Sequence, residues 1–342
     1  MKKSIKRVLT FILLVVLLIA LYKFELVIYG LQQLKGQMHI ICNARDVNEC
    51  LNDATVPDSI KQKLLLISEI RRYAVDSLGL KDSKNYTTLY DQQNKPVLWV
   101  LTACEPFSMK AYQWNFPLLG AVSYKGFFDK EIGLPEEAKL KAIFYDTEYS
   151  PVSAWSTLGW FRDPVLSNML KRKEGQIAEL IIHELTHATV YLSSNVDYNE
   201  NLATFVGEQG AIRFLTYKYG VDAIQTLNYQ HYKTDETVFG NYMVNACAHL
   251  DSVYQSINTT LSFRDKLKIK YDAITEIVLG INQLTLYNKQ RYTFSFPEDH
   301  LPNNSWFLSY RRYRVNQNDF DAQLKNKYSG KLEGFIRVLR NQ

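Results

Sequence analysis

The stretch 174–193, EGQIAELIIHELTHATVYLS, constrains this chain more than any other. At about 100° per residue, Ile177, Ile181, Leu185, Ala188 and Leu192 fall in one stripe roughly 80° wide, which predicts an α-helix with that face toward a core. His183 and His187 stand at i and i+4, one turn apart on a common face away from the stripe. With Glu184 between them they form H-E-x-x-H, a spacing that lets two imidazoles share one metal ion. A bare pair of this kind also describes two surface histidines on an amphipathic helix. A metal site needs a third ligand from another element and keeps its fourth position for water.

Glu200, thirteen positions after His187, is the leading candidate for that ligand. The gap allows the first helix to end, the chain to turn, and a second helix over 199–219 to return antiparallel. Ala203, Gly207, Gly210 and Ala211 give the second helix a face of small residues, which permits close approach. Two other assignments remain open. Asp197 and Glu200 also have the D-x-x-E spacing of a capping box, and Glu208 is a competing ligand two turns on. The residue types point to zinc, one ion, held by His183, His187 and a carboxylate. Zinc so held lowers the pKa of its water toward 7. Glu184 is placed to act as general base on that water and to return the proton to a leaving amine.

The remaining chain reads as α+β and helix-rich, with one small sheet before the metal helix. Helices are expected over 57–80, 136–140 and 320–339 and as a hairpin over 246–286 broken near 258–262. Strands are expected over 96–102 and 142–145. The chain has 342 residues, 46% hydrophobic and 22% charged, enough for one large catalytic domain over 29–342. A net charge of +5 without a basic patch of interleaved aromatics excludes a nucleic-acid partner. Residues 8–22 are uncharged and mostly apolar behind Lys2, Lys3, Lys6 and Arg7. With the apolar run 24–31 they suggest a signal anchor over 1–28. That anchor implies a single-pass cell-membrane protein with a cytoplasmic N-terminus and an extracytoplasmic, periplasmic catalytic domain. Cys42 and Cys50 are spaced to pair in an oxidising compartment, or stay as free thiols.

Several motifs converge on one family. They are Trp114-Asn115-Phe116-Pro117, Val122-Ser123-Tyr124-Lys125-Gly126, Ser156-Thr157-Leu158-Gly159-Trp160-Phe161, Asp163-Pro164, His183-Glu184-Leu185-Thr186-His187, Asn199-Glu200-Asn201-Leu202-Ala203-Thr204 and Asn303-Asn304. With these the chain resembles the bacterial zinc aminopeptidases that share an H-E-L-x-H helix followed by N-E-x-x-A. The resemblance implies a zincin-like metallopeptidase domain and peptide-bond hydrolysis. It implies His183, His187 and Glu200 as zinc ligands, Glu184 as base and a peptide or protein as substrate. Beside it, Ser153, Trp155, Leu158 and Gly159 lie where a sheet edge would pair with an extended peptide. Tyr313 stands as oxyanion donor, with Tyr310 and His300 as rivals. Glu105, Glu148 and Glu208 are the carboxylates considered for a substrate's free amine. Arg162 departs from the family pattern, in which an acidic residue is common. The competing class is a non-catalytic envelope protein that binds zinc or peptides for structure. A fourth protein ligand on the metal would favour it.

Overall fold

The computed structural model describes residues 23–117, 120–152, 162–192, 195–294, 296, 301–311 and 317–340. The chain divides into two units, Met1–Ala44 and Arg45–Gln342.

The first unit contributes helix α1 (Phe24–Cys42), closed by Asn43, whose Nδ2 donates to the His39 carbonyl at 2.7 Å. Here the membrane expectation needs correcting. The apolar run after residue 23 does not itself make a span. It passes without a break into a polar half carrying Gln32, Gln33, Lys35 and Gln37. Among the described residues no helix is long and apolar enough to cross a membrane, so neither an anchor nor a single-pass membrane location is supported. The stretch 8–22 lies outside the described residues.

In the second unit the elements run β1 (Arg45–Asp46), α2 (Val47–Asn52), α3 (Asp58–Asp76), β2 (Thr88–Tyr90), β3 (Trp99–Cys104), β4 (Trp114–Phe116), β5 (Gly120–Val122), β6 (Lys125–Phe127) and α4 (Lys130–Ala142). They continue with β7 (Asp146–Pro151), β8 (Val165–Leu166), a 3-10 turn (Ser167–Lys171), α5 (Glu174–Thr189), α6 (Val196–Tyr219), α7 (Ile224–Ser256) and α8 (Phe263–Ile281). A second 3-10 turn (Lys289–Tyr292) precedes α9 (Asn304–Arg311), α10 (Gln317–Tyr328) and α11 (Leu332–Arg340). The α+β, helix-rich class holds. The β-structure is divided, however: among the described residues it forms two three-stranded sheets and one hairpin, all ahead of α5.

β2 pairs antiparallel with β1 and parallel with β8. β3 lies between β6 and β7, and its six-residue ladder with β7 runs from Trp99↔Pro151 to Cys104↔Asp146. The strand expected over 142–145 begins later because α4 continues to Ala142 and Phe144 takes a left-handed φ of 64°. α9 lies over β3 and β7. Asn303 Nδ2 donates to the Thr147 carbonyl at 2.8 Å, and Lys270 of α8 meets Asp146 at 2.5 Å.

α7 and α8 form the expected hairpin. Phe239, Met243, Ala246, Leu250 and Tyr254 of α7 pack with Ile274, Ile277 and Ile281 of α8 and Phe307 of α9 into an apolar cluster. The single helix expected over 320–339 is two, because Ser329 and Gly330 take φ of 51° and 76° and turn the chain between α10 and α11. All four cysteines are free, Cys42 exposed and Cys50, Cys104 and Cys247 buried.

Candidate metal centre

α5 starts where the Lys173 amide donates to Gln176 Oε1 at 3.1 Å and stops at Val190, which is extended. Its expected core face is present in part: Ile177, Ile181 and Leu185 are each at most 1% exposed, Ala188 is half-buried, and Leu192 lies past the end of the helix and is exposed. The helix is not amphipathic in the simple sense, since Ala178, Ile182 and Thr186 are buried as well. α3, α6 and α7 all pack on it, so the histidine face is covered too. His187 is 4% exposed and His183 is half-buried.

α6 covers that face. It opens with Asn195 as N-cap, accepting from the Tyr198 amide at 3.2 Å, which leaves Glu200 beyond the capping positions. Asn199 fixes the turn ahead of it. Its Oδ1 accepts from the Leu192 amide at 2.9 Å and its Nδ2 donates to the Leu192 carbonyl at 2.8 Å. Small residues then let the helices touch. A Cβ added at Gly207 would lie 2.9 Å from the Glu179 carbonyl oxygen, and one at Gly210 would lie 2.9 Å from the Ile182 side chain.

These contacts bring His183, His187 and Glu200 together. The two Nε2 atoms are 3.2 Å apart, His187 Nε2 is 3.4 Å from Glu200 Oε1, and His183 Nε2 is 3.6 Å from Glu200 Oε2. Ligand atoms at 2.0–2.1 Å from a tetrahedral zinc are roughly 3.3–3.4 Å from one another. The Nε2–Nε2 distance is close to an edge of such a tetrahedron, each histidine reaches a different oxygen of the Glu200 carboxylate, and two imidazoles with one carboxylate are a donor set zinc accepts. The site calls for positive charge at its centre. Burial pulls the His183 imidazole down, but the hydrogen bond to Glu200 and the charges of Glu184, Glu200 and Glu179 outweigh it and leave it raised. Burial likewise pushes Glu200 up, yet the two histidines hold its carboxyl far below the usual carboxylate range.

Glu184 Oε2 and His187 Nδ1 are buried without a hydrogen-bond partner among the described residues. An acceptor left unsatisfied in this way costs about 1–3 kcal/mol.

A family profile described as "Putative aminopeptidase" matches residues 28–341. The chain belongs to this family. No curated protein and no solved structure matches it. The match spans both helices of the triad; its description names a peptidase class and no metal.

Elsewhere in this family member the expected positions separate. Glu208, the rival ligand, is engaged by Lys233 at 2.7 Å. Glu105 lies 3.6 Å from Lys110 at the surface. Glu148 is raised by burial, with a hydrogen bond from Ser150 opposing. Tyr310 packs edge-on against Phe239 and Trp306, and burial followed by the charge of Glu148 pushes its hydroxyl up to about 12. Asn303 and Asn304 serve the fold: Asn303 Oδ1 caps α9, and Asn304 Nδ2 donates to the Glu105 carbonyl at 2.9 Å. Arg162 ties Thr87 and Asp46. Ser153, Trp155, Leu158, Gly159, His300 and Tyr313 lie outside the described residues.

Two contributors carried no readable role in the sequence. Asn199 was visible only as the neighbour of Glu200. Lys233 gave no signal, because two of its three carboxylate partners are 54 and 25 positions away in the chain.

Proposed function

We propose that the chain is a zinc-dependent peptidase, acting as an aminopeptidase on peptides or proteins. One observation carries the reading: two imidazoles and one carboxylate from two helices offer ligand atoms that all lie within 4.8 Å of one another, beside a buried Glu184 oxygen that has no hydrogen-bond partner among the described residues. His183, His187 and Glu200 hold the ion. A zinc ion so bound supplies Lewis acidity toward the scissile carbonyl and acidifies water toward neutral pKa. Glu184 accepts the proton of the attacking water at Oε2 and delivers it to the departing nitrogen. The closely packed α5 and α6 hold both histidines and Glu200 in place before substrate arrives. Family membership supports the peptidase class.

The test pairs metal analysis with cleavage of matched peptides bearing free or acetylated N-termini. One zinc per chain, loss of activity on chelation with recovery on zinc, and strong preference for the free amine are expected. Equal rates on both peptides would remove the aminopeptidase part and leave the peptidase. Glu184→Gln is expected to keep its zinc and lose about 10²–10⁴ in turnover. Wild-type turnover in that variant would reject the mechanism.

A further inference from the structure

A charged bridge also joins α5 and α6, apart from the cluster of His183, His187 and Glu200. Lys233 of α7 places its Nζ 3.0 Å from Glu179 Oε1, 2.7 Å from Glu208 Oε1 and 2.7 Å from Glu236 Oε2. Glu179 belongs to α5, Glu208 to α6 and Glu236 to α7, so one ammonium joins three helices.

The position of this node matters. His187 faces Glu200, His183 faces Gly207 and Ile182 faces Gly210, so the two helices run antiparallel. Glu179 is one turn before His183, and Glu208 is two turns beyond Glu200. Both therefore lie further along the same contact between the two helices. The node is also well built. Tyr229 OH donates to Glu179 Oε2 at 3.0 Å, Tyr232 OH donates to Glu236, and the Arg291 guanidinium lies 4.0 Å over the Tyr232 ring and 3.5 Å from Glu236.

Glycines set how closely α5 and α6 approach, but a surface without side chains resists sliding poorly. A slip of one residue along a helix is about 1.5 Å, enough to destroy contacts of 3.4 and 3.6 Å between the histidines and Glu200. Lys233 opposes that slip by holding one carboxylate from each helix.

We infer that Lys233 is a positioning residue for the metal triad, fixing the offset of His183 and His187 on α5 relative to Glu200 on α6. The inference rests on the metal reading above. Burial works against a charge on Lys233, but Glu179, Glu208 and Glu236 outweigh it, so the ammonium persists. Without it, three carboxylates of one sign would face each other and push the helices apart.

The experiment measures zinc affinity by chelator competition on the full chain and the visible spectrum of the Co(II)-substituted protein, which reports ligand geometry. Lys233→Met is expected to weaken zinc binding about 10–100-fold, the usual effect of losing a group that orients ligands, and to change the Co(II) bands at saturation. Lys233→Arg, which restores the charge, is expected to recover most of both. Wild-type affinity and spectrum in Lys233→Met would overturn the inference. Should Lys233→Met not fold, Glu208→Leu keeps the pairs to Glu179 and Glu236 and removes the acceptor that makes the link to α6. It is expected to weaken zinc binding in the same direction, and an unchanged affinity would again overturn the inference. Wild-type protein that binds no zinc would reject the metal reading itself, whereas a zinc-binding wild type with a silent Lys233→Met rejects the positioning role alone.

Discussion

Replacing Gly207 with alanine inserts a methyl group at the closest contact between α5 and α6. The new Cβ would lie 2.9 Å from the Glu179 carbonyl oxygen and 3.1 Å from His183 Cβ. Both atoms belong to, or sit directly on, a packed helix, so no flexible side chain can swing aside. Ordinary contact begins near 3.4 Å, so the helices must separate by about 0.5 Å. Overpacking of this sort costs about 1–3 kcal/mol, while alanine in a helix interior gains about 1 kcal/mol over glycine. The expected net loss is about 1 kcal/mol, or about 2 °C in Tm for a chain of this size. The metal site should feel more. The same separation would stretch the 3.4 and 3.6 Å histidine–Glu200 distances toward about 4 Å, farther from the roughly 3.3–3.4 Å edge of a tetrahedral zinc site. Zinc affinity is expected to fall about 10–100-fold, measured by chelator competition beside a thermal melt. Gly30→Ala is the control, because nothing lies within 4 Å of a Cβ there; it should stabilise α1 by about 0.4–1 kcal/mol. Gly207→Ala with unchanged Tm and zinc affinity would refute the argument that this contact sets the triad.

Other outcomes follow from the same contacts. Asn199→Ala removes both hydrogen bonds to Leu192 and should destabilise the protein by about 2–3 kcal/mol; a denaturant midpoint shift below about 0.5 kcal/mol would contradict the clamp. Burial raises the Glu236 carboxyl, but Lys233 and Tyr232 outweigh it and hold it low. A lowered folded pKa gives stability that is present above the unfolded value of 4.5 and is lost as pH falls through the folded value. Glu236→Gln should therefore flatten the acid limb of stability against pH relative to wild type; parallel limbs would contradict the pairing. Burial followed by the charge of Asp146 pushes the Cys104 thiol up to about 12. Cys104 should resist alkylation at pH 8 in the native state while exposed Cys42 reacts, and mass spectrometry showing equal labelling would refute that.

The two parts of the candidate metal centre differed in how far the sequence revealed them. His183 and His187 were legible because spacing along one helix fixes their relation whatever surrounds it. The small-residue face of α6 was legible for a related reason, since glycine and alanine at helical spacing have few uses other than close approach. The burial of the histidine face of α5 was not. One apolar stripe on α5 suggested one covered side, but α7 also packs there, with Tyr229 where a Cβ on Gly175 would come within 2.5 Å. The expected anchor failed on a similar point. An apolar run was read by its length, while the helix that contains its second part continues into glutamines and a lysine. The single sheet became several because β2 pairs with β8 across 76 positions of chain, and short strands give no local sign of their partners.

The choice among carboxylates separates the two levels most clearly. The sequence alone determined that α5 presents two imidazoles one turn apart, and that a carboxylate on the following helix was within reach. It left Glu200, as ligand or cap, and Glu208 in competition, because both stand on that helix at workable distances. The tertiary structure set Glu200 against both histidines and Glu208 against Lys233. The physical reason is that spacing along a helix is fixed by the backbone, whereas the offset between two helices is fixed only by what packs between them and by a third element. Here those are Gly207 and Gly210 at the contact, Asn199 at the turn, and a lysine from α7.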